Sequence, residues 1–281
     1  MFAGLTDRSW LWLAAECYLV GLLLGTWALV RGNRQSGALI NTVIAVGYLF
    51  QVIGLWLRGR AVGGCPLGNA FEIFQFTAWS AITLYLIVGV TFRLSLLGYF
   101  TSCLAAAVTL VSLAIPAWDA TRRDHIFGGN AWIELHAALA LFSYGVFALL
   151  ALTSLMFLLR NYSLKQKHPG GGFTFLPSIL DLDHMSLRLL VIGVILLTAS
   201  LLVGSVYWLR DLQSVNLTKI LLTVAVWLAA VVFLGLRLRG RLLAQRFAWA
   251  GIGLFGLALL SLWPVDASRH AVPPPAHVVP R

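Results

Sequence analysis

The chain has 281 residues, of which 60% are hydrophobic and 11% charged, with a formal net charge of +10. A soluble domain is roughly 45–50% apolar, so no packed core could hide this much apolar surface and lipid must solvate most of it. The positive charge does not signal nucleic acid: the basic residues sit in short clusters between apolar runs, such as RLRGR at 237–241, where they mark span ends facing anionic headgroups.

Eight apolar runs are long enough to cross about 30 Å of hydrocarbon. They are Trp10–Val30, Gly37–Leu57, Phe71–Phe92, Leu94–Ile115, Ala131–Leu159, Leu187–Trp208, Leu217–Leu236 and Phe247–Trp263. The first run has little positive charge before it and no small-residue cleavage site, so it is expected to stay as a helix. The third and fourth are divided only around Arg93, which can snorkel to the surface at a tight turn. The expected architecture is all-α: a polytopic membrane protein in which residues 1–264 form a single integral-membrane domain. Residues 265–281, with PPP at 273–275, are expected to be a disordered tail.

An even number of spans places both termini on one side. Nine basic residues fall on that side and eleven on the other, which also holds the dense clusters RLRGR and RNYSLKQK. The positive-inside rule therefore puts the second side in the cytoplasm and both termini outside. Cys17, Cys65 and Cys103 have neither metal-like nor redox-like spacing.

A charged group at the centre of a membrane helix costs at least about 2.5–3.5 kcal/mol. Glu16, Glu72, Glu134 and Lys219 lie within or at the margins of the apolar runs, all toward the expected outer side, as do His125, His136, His270 and His277. Trp10, Trp12, Trp56, Trp118, Trp132, Trp208 and Trp263 fall near the same face, against Trp27 and Trp249 at the other. This pattern fits an interfacial belt or, given its imbalance, an outer aromatic shelf. His136 opens the fifth helix and shares a face with Trp132, Ala140, Ser143 and Tyr144, whereas Glu134, two positions away, points elsewhere. Such a histidine either bridges helices or ligates a metal or haem iron. Glu72, Gln75 and Trp79 share one face of the third helix, where Asn69 can cap and Glu72 suits the helix dipole.

Three segments in order, NAFEIFQFTAW, ELHAALALFSYGVFALL and LPSILDLDHMSLRLLVIGVILLTASLLVGSVYW, resemble the cytochrome c assembly family of CcsA, CcmC and HemX-like membrane proteins, and its small CcsA/HemX-like branch in particular. The resemblance runs from about residue 65 to 263. It implies a haem-handling protein of the bacterial inner (plasma) membrane that binds haem b near the outer face and assists cytochrome c assembly. Its partners would be haem, membrane lipid and another cytochrome c assembly membrane subunit. By the same resemblance His136 matches an external haem-iron ligand, and Asn69 and Glu72 match the family's Asn and Glu. Trp208, Asp211 and Lys219 are what remains of a tryptophan-rich external loop over the haem. Trp132 flanks that site, and His270 is the candidate for the second external histidine. The family's inner histidine is missing from FLGLRLRG.

Two other readings remain. One is a HemX-like regulatory or scaffolding membrane protein of haem metabolism that delivers no haem. The other is a small-solute transporter, which the one-sided polar groups and the absence of a repeat disfavour. An enzyme is not expected, because no nucleophile, base and orienting group can be assembled from these residues.

Overall fold

A computed structural model describes residues 5–31, 37–91, 95–122, 124, 130–165, 177–208 and 217–269. The regular structure among them is helical. The helices are α1 (Asp7–Arg31), α2 (Gly37–Val62), α3 (Ala70–Thr91), α4 (Ser95–Ala114), α5 (Ala131–Lys165), α6 (Ile179–Trp208), α7 (Leu217–Leu238) and α8 (Ala244–Arg269), with one 3₁₀ turn at Pro116–Asp119. Seven are long and apolar enough to cross a membrane, and α4 carries a shorter apolar stretch, Gly98–Ala114. All eight expected helices are present, including the division between α3 and α4.

Their ends differ from expectation for local reasons. α2 continues past Leu57 to Val62 and stops at Gly63, whose φ of 69° lets the Gly64 amide reach the Gly59 carbonyl at 3.0 Å. α6 begins eight residues before Leu187. There the Ser178 hydroxyl accepts from the Asp181 amide (3.1 Å) and donates to the Asp181 carboxylate (2.6 Å), a cap that converts the expected loop into helix. α8 runs through Pro264 to Arg269, past the expected start of the tail. Proline removes one donor, which a membrane helix tolerates.

Two groups of helices are joined through α5. In the first, α1 packs on α2 and α4, and α3 lies against α4. In the second, α5 packs on α6 and α8, with α7 outermost, and contacts between α3 and α5 link the groups. Burial follows this order: 72% of the most apolar window of α5 is buried, but only 11% of that of α7. Lipid offers no hydrophobic drive for helices to associate, so close approach at small residues does the work. At Gly145 of α5 a β-carbon would meet Ser80 Oγ and lie 3.0 Å from the Ala81 amide nitrogen of α3. At Gly251 of α8 it would lie 2.6 Å from Ser154 Oγ of α5.

The two ends of the bundle differ in charge. Where α5 and α7 end and α6 and α8 begin stand Arg160, Lys165, Arg188, Arg237, Arg239, Arg241 and Arg246. The acids described at that end are Asp181 and Asp183, and Asp183 pairs with Arg237. The guanidinium of Arg237 also lies over the Phe247 ring at 4.7 Å, so the first arginine of RLRGR joins α6, α7 and α8 as well as adding charge. The acids gather at the opposite end.

Candidate functional site

That opposite end is where α1, α3 and α5 begin and α2, α4 and α6 finish. Asn130 caps α5, its side-chain oxygen accepting from the Trp132 amide at 3.1 Å. Within the first turns the side chains diverge. The Glu134 carboxylate accepts from the Cys65 amide in the α2–α3 loop at 3.2 Å, while His136 turns to α6. The two side chains reach different neighbours, as helical spacing requires.

His136 is held by the fully buried Ser200 of α6. Its Nδ1 lies 2.7 Å from the Ser200 carbonyl oxygen and 3.1 Å from Ser200 Oγ, and Oγ donates to the His136 carbonyl at 2.9 Å. A carbonyl oxygen can only accept, and the hydroxyl hydrogen is already committed. Nδ1 must therefore carry the proton, which leaves the lone pair on Nε2. This is the arrangement that orients histidine ligands and raises their basicity. Deeper along α5, Tyr144 meets Ser261 of α8 at 2.9 Å.

At the same end of the bundle lies an ionic cluster. Arg58 is completely buried near the end of α2. It donates to Glu72 (2.6 Å), to Asp7 (2.9 Å) and to Asp119, and its guanidinium lies 4.8 Å over the Phe71 ring. Arg8 also reaches Asp119 (3.0 Å), and Arg122 reaches Asp7 (2.8 Å). Three arginines thus offset three carboxylates. Asn69 caps α3 by accepting from the Glu72 amide at 2.9 Å and donates to the Thr121 carbonyl at 3.0 Å. Glu72 also accepts from the Gly68 amide at 2.5 Å. Asn69 and Glu72 therefore tie α3 to its neighbours. Below them Gln75 donates to Ser112 (2.9 Å), Gln51 donates to Gln75 (3.1 Å), and Tyr18 donates to Gln51 (2.9 Å). One hydrogen-bonded chain thus joins α1, α2, α3 and α4 through the interior.

The α2–α3 loop connects the two assemblies. Burial pushes the Cys65 thiol up to about 12, with the Glu134 and Glu72 charges adding to the effect. This cysteine is a neutral thiol at any ordinary pH.

Among the residues expected at the site, Glu72 and Asn69 meet at the start of α3, and His136 lies at the same end of the bundle, turned toward α6, while Glu134 of its helix reaches the α2–α3 loop. Trp132 is 60% exposed there and turns outward. Trp12 and Trp56 are exposed at the same end and Trp27 and Trp249 at the other, the distribution of an interfacial belt. Trp118 packs inward, stacked on Phe74 at 4.8 Å. Asp211, His125, His270 and His277 lie outside the described residues, and Trp208 and Lys219 are described only as the last residue of α6 and the third of α7. Arg58, Asp7, Asp119 and Ser200 were not singled out by sequence. The signal for Arg58 was Gly63: a helix stopping there, not at Leu57, carries Arg58 into the bundle.

A family model for the cytochrome c assembly protein matches residues 67–266, which include α3 through most of α8. The chain belongs to the cytochrome c assembly protein family. Among its curated relatives, the protein HemX of Bacillus subtilis (strain 168) is 26% identical over 204 residues, 70% of this chain and 71% of that one. The cytochrome c biogenesis protein CcsA of Chlamydomonas reinhardtii is 30% identical over 230 residues, 77% of this chain and 62% of that protein. An uncharacterised 28.8 kDa protein of Azospirillum brasilense is 32% identical over 198 residues, 68% of each. For this member of the family, a haem iron is a group that His136 fits by donor chemistry. One ring nitrogen is held as a donor by Ser200 and the other keeps its lone pair.

Proposed function

We propose that the chain handles haem in cytochrome c assembly, and that the Nε2 of His136 ligates the iron of haem b at the end of the bundle where α5 begins. The observation that carries this reading is the Nδ1 contact to the Ser200 carbonyl, which commits the imidazole to the ligating tautomer. The basic cluster at the opposite end supports placing that opposite end in the cytoplasm, the haem end and both termini outside, and the chain in a bacterial inner membrane. In this reading the protein contributes ligation and position. The iron and porphyrin supply the redox and ligand-exchange chemistry when bound. His270 is the proposed second external ligand, and Trp132, Trp208 and Asp211 flank the porphyrin. Asn69 and Glu72 act by holding the α2–α3 loop against α5.

The test is the optical spectrum of protein purified in detergent from haem-replete cells, oxidised and reduced. Bound haem gives a Soret band, and His136→Ala removes or shifts it. Colourless wild-type protein overturns the proposal.

A second reading is a HemX-like regulatory or scaffolding role without haem delivery. It is favoured by the reduced stretch at 204–219, which keeps only Trp208, Asp211 and Lys219 of the family's external loop. A deletion strain with normal c-type cytochromes and altered haem precursors supports it. Loss of c-type cytochromes rules it out.

A further inference from the structure

The outward face of α1 carries a charge that nothing else in the described structure uses. α1 buries Leu11, Ala14, Ala15 and Tyr18 against its neighbours. The opposite face, at helical spacing, presents Trp12, Glu16, Val20, Leu23 and Trp27, all exposed. Four of these five suit a lipid-facing surface, with a tryptophan toward each end where the interfaces are expected. Glu16 does not suit it. It makes no hydrogen bond or ion pair with any described residue.

Its depth makes this significant. The apolar segment of α1 is Asp7–Trp27, and Glu16 lies within it, three residues from the centre of the helix. That is about 4.5 Å along the axis. Trp12, which marks the nearer interface, is one turn away, about 6 Å along the axis, so the carboxylate sits inside the aromatic belt on a lipid-facing surface. Ionisable groups at such depth normally turn inward and find a partner, as Arg58 and Glu72 do here.

We propose that this face of α1 docks a transmembrane helix of a different protein, one bearing a lysine or arginine at the depth of Glu16, and that the two side chains form an ion pair at the interface. Charge complementarity selects this occupant. A second copy meeting the first across a two-fold axis along the membrane normal would set Glu16 against Glu16, like charge against like. A wholly apolar helix would leave the carboxylate as unsatisfied as lipid does. Trp12, Val20 and Leu23 supply the apolar contacts around the pair. The inference does not depend on haem binding.

The test is site-specific photo-crosslinking in native membranes, with benzoylphenylalanine at Val20, one turn from Glu16. The expected adduct is with a membrane segment of another protein that contains a lysine or arginine within its span. Glu16→Gln and Glu16→Leu each reduce its yield at least tenfold, and both variants keep the thermal midpoint of the isolated protein because Glu16 pairs with nothing in its own chain. Glu16→Lys combined with an acidic substitution of the partner's cation restores the adduct. Four results overturn the proposal: adducts to lipid alone, adducts to a second copy of this chain, a partner segment without a cation, or an adduct yield that Glu16→Gln leaves unchanged.

Discussion

Replacing Arg58 with methionine tests whether the ionic cluster holds the first four helices together. Arg58 is fully buried, and methionine fills much of its volume without its charge. The substitution removes the donors to Glu72, Asp7 and Asp119. Glu72 is then left 1% exposed and without an ionic partner, while Asp119 keeps Arg8 and Asp7 keeps Arg122. Breaking a buried pair from one side costs about 3–5 kcal/mol, because the remaining charge stays desolvated. For a chain of this size that corresponds to a thermal midpoint lowered by about 10 °C. The assay is thermal unfolding in detergent, followed for wild type, Arg58→Met, Glu72→Gln and the double variant. Neutralising both partners removes the stranded charge, so the double variant recovers a coupling of about 1–3 kcal/mol relative to the summed single effects. Strictly additive losses, or a midpoint within about 2 °C of wild type in Arg58→Met, refute the reasoning.

Three further outcomes follow from the geometry. Gly145→Val drives a branched side chain into Ser80 and the α3 backbone, costing about 1–3 kcal/mol or more of bundle stability by the same unfolding assay. Ser200→Ala keeps the backbone carbonyl that fixes His136 but removes the hydroxyl bridge; under the proposed haem ligation the Soret band persists while the reduction potential shifts. With Cys17 and Cys103 replaced by alanine, Cys65 alkylates at pH 8 more slowly than a free thiol, since its thiolate fraction is about 10⁻⁴ rather than about a quarter. The logarithm of that rate climbs with pH beyond 10 without a plateau, and Glu134→Gln accelerates it. The sign for stability follows: the thiol's folded value lies above its unfolded one, so its contribution is complete below about pH 8.5 and is lost as pH rises toward 12.

Composition and periodicity determined a large part of this protein. Eight helices, their order and the side of the membrane each end shares all follow from apolar run length, since hydrocarbon thickness dictates how many residues a span needs. Helical spacing alone separated Glu134 from His136, and the two side chains do leave α5 toward different neighbours. Asn69 reads as a cap and is one. Other features depend on contacts between residues far apart in the chain, which run length cannot reveal. Arg58 reads as one more charge at a span end; only packing shows it buried beside Asp7, 51 residues earlier, and Asp119, 61 residues later. Ser200, 64 residues from His136, reads as an ordinary small residue of an apolar helix until α6 brings its carbonyl to the imidazole. The physical reason is the same in both cases. In lipid each span must satisfy its backbone internally, which local sequence encodes, whereas side chains find partners across helices, and helix-to-helix geometry decides which partners those are.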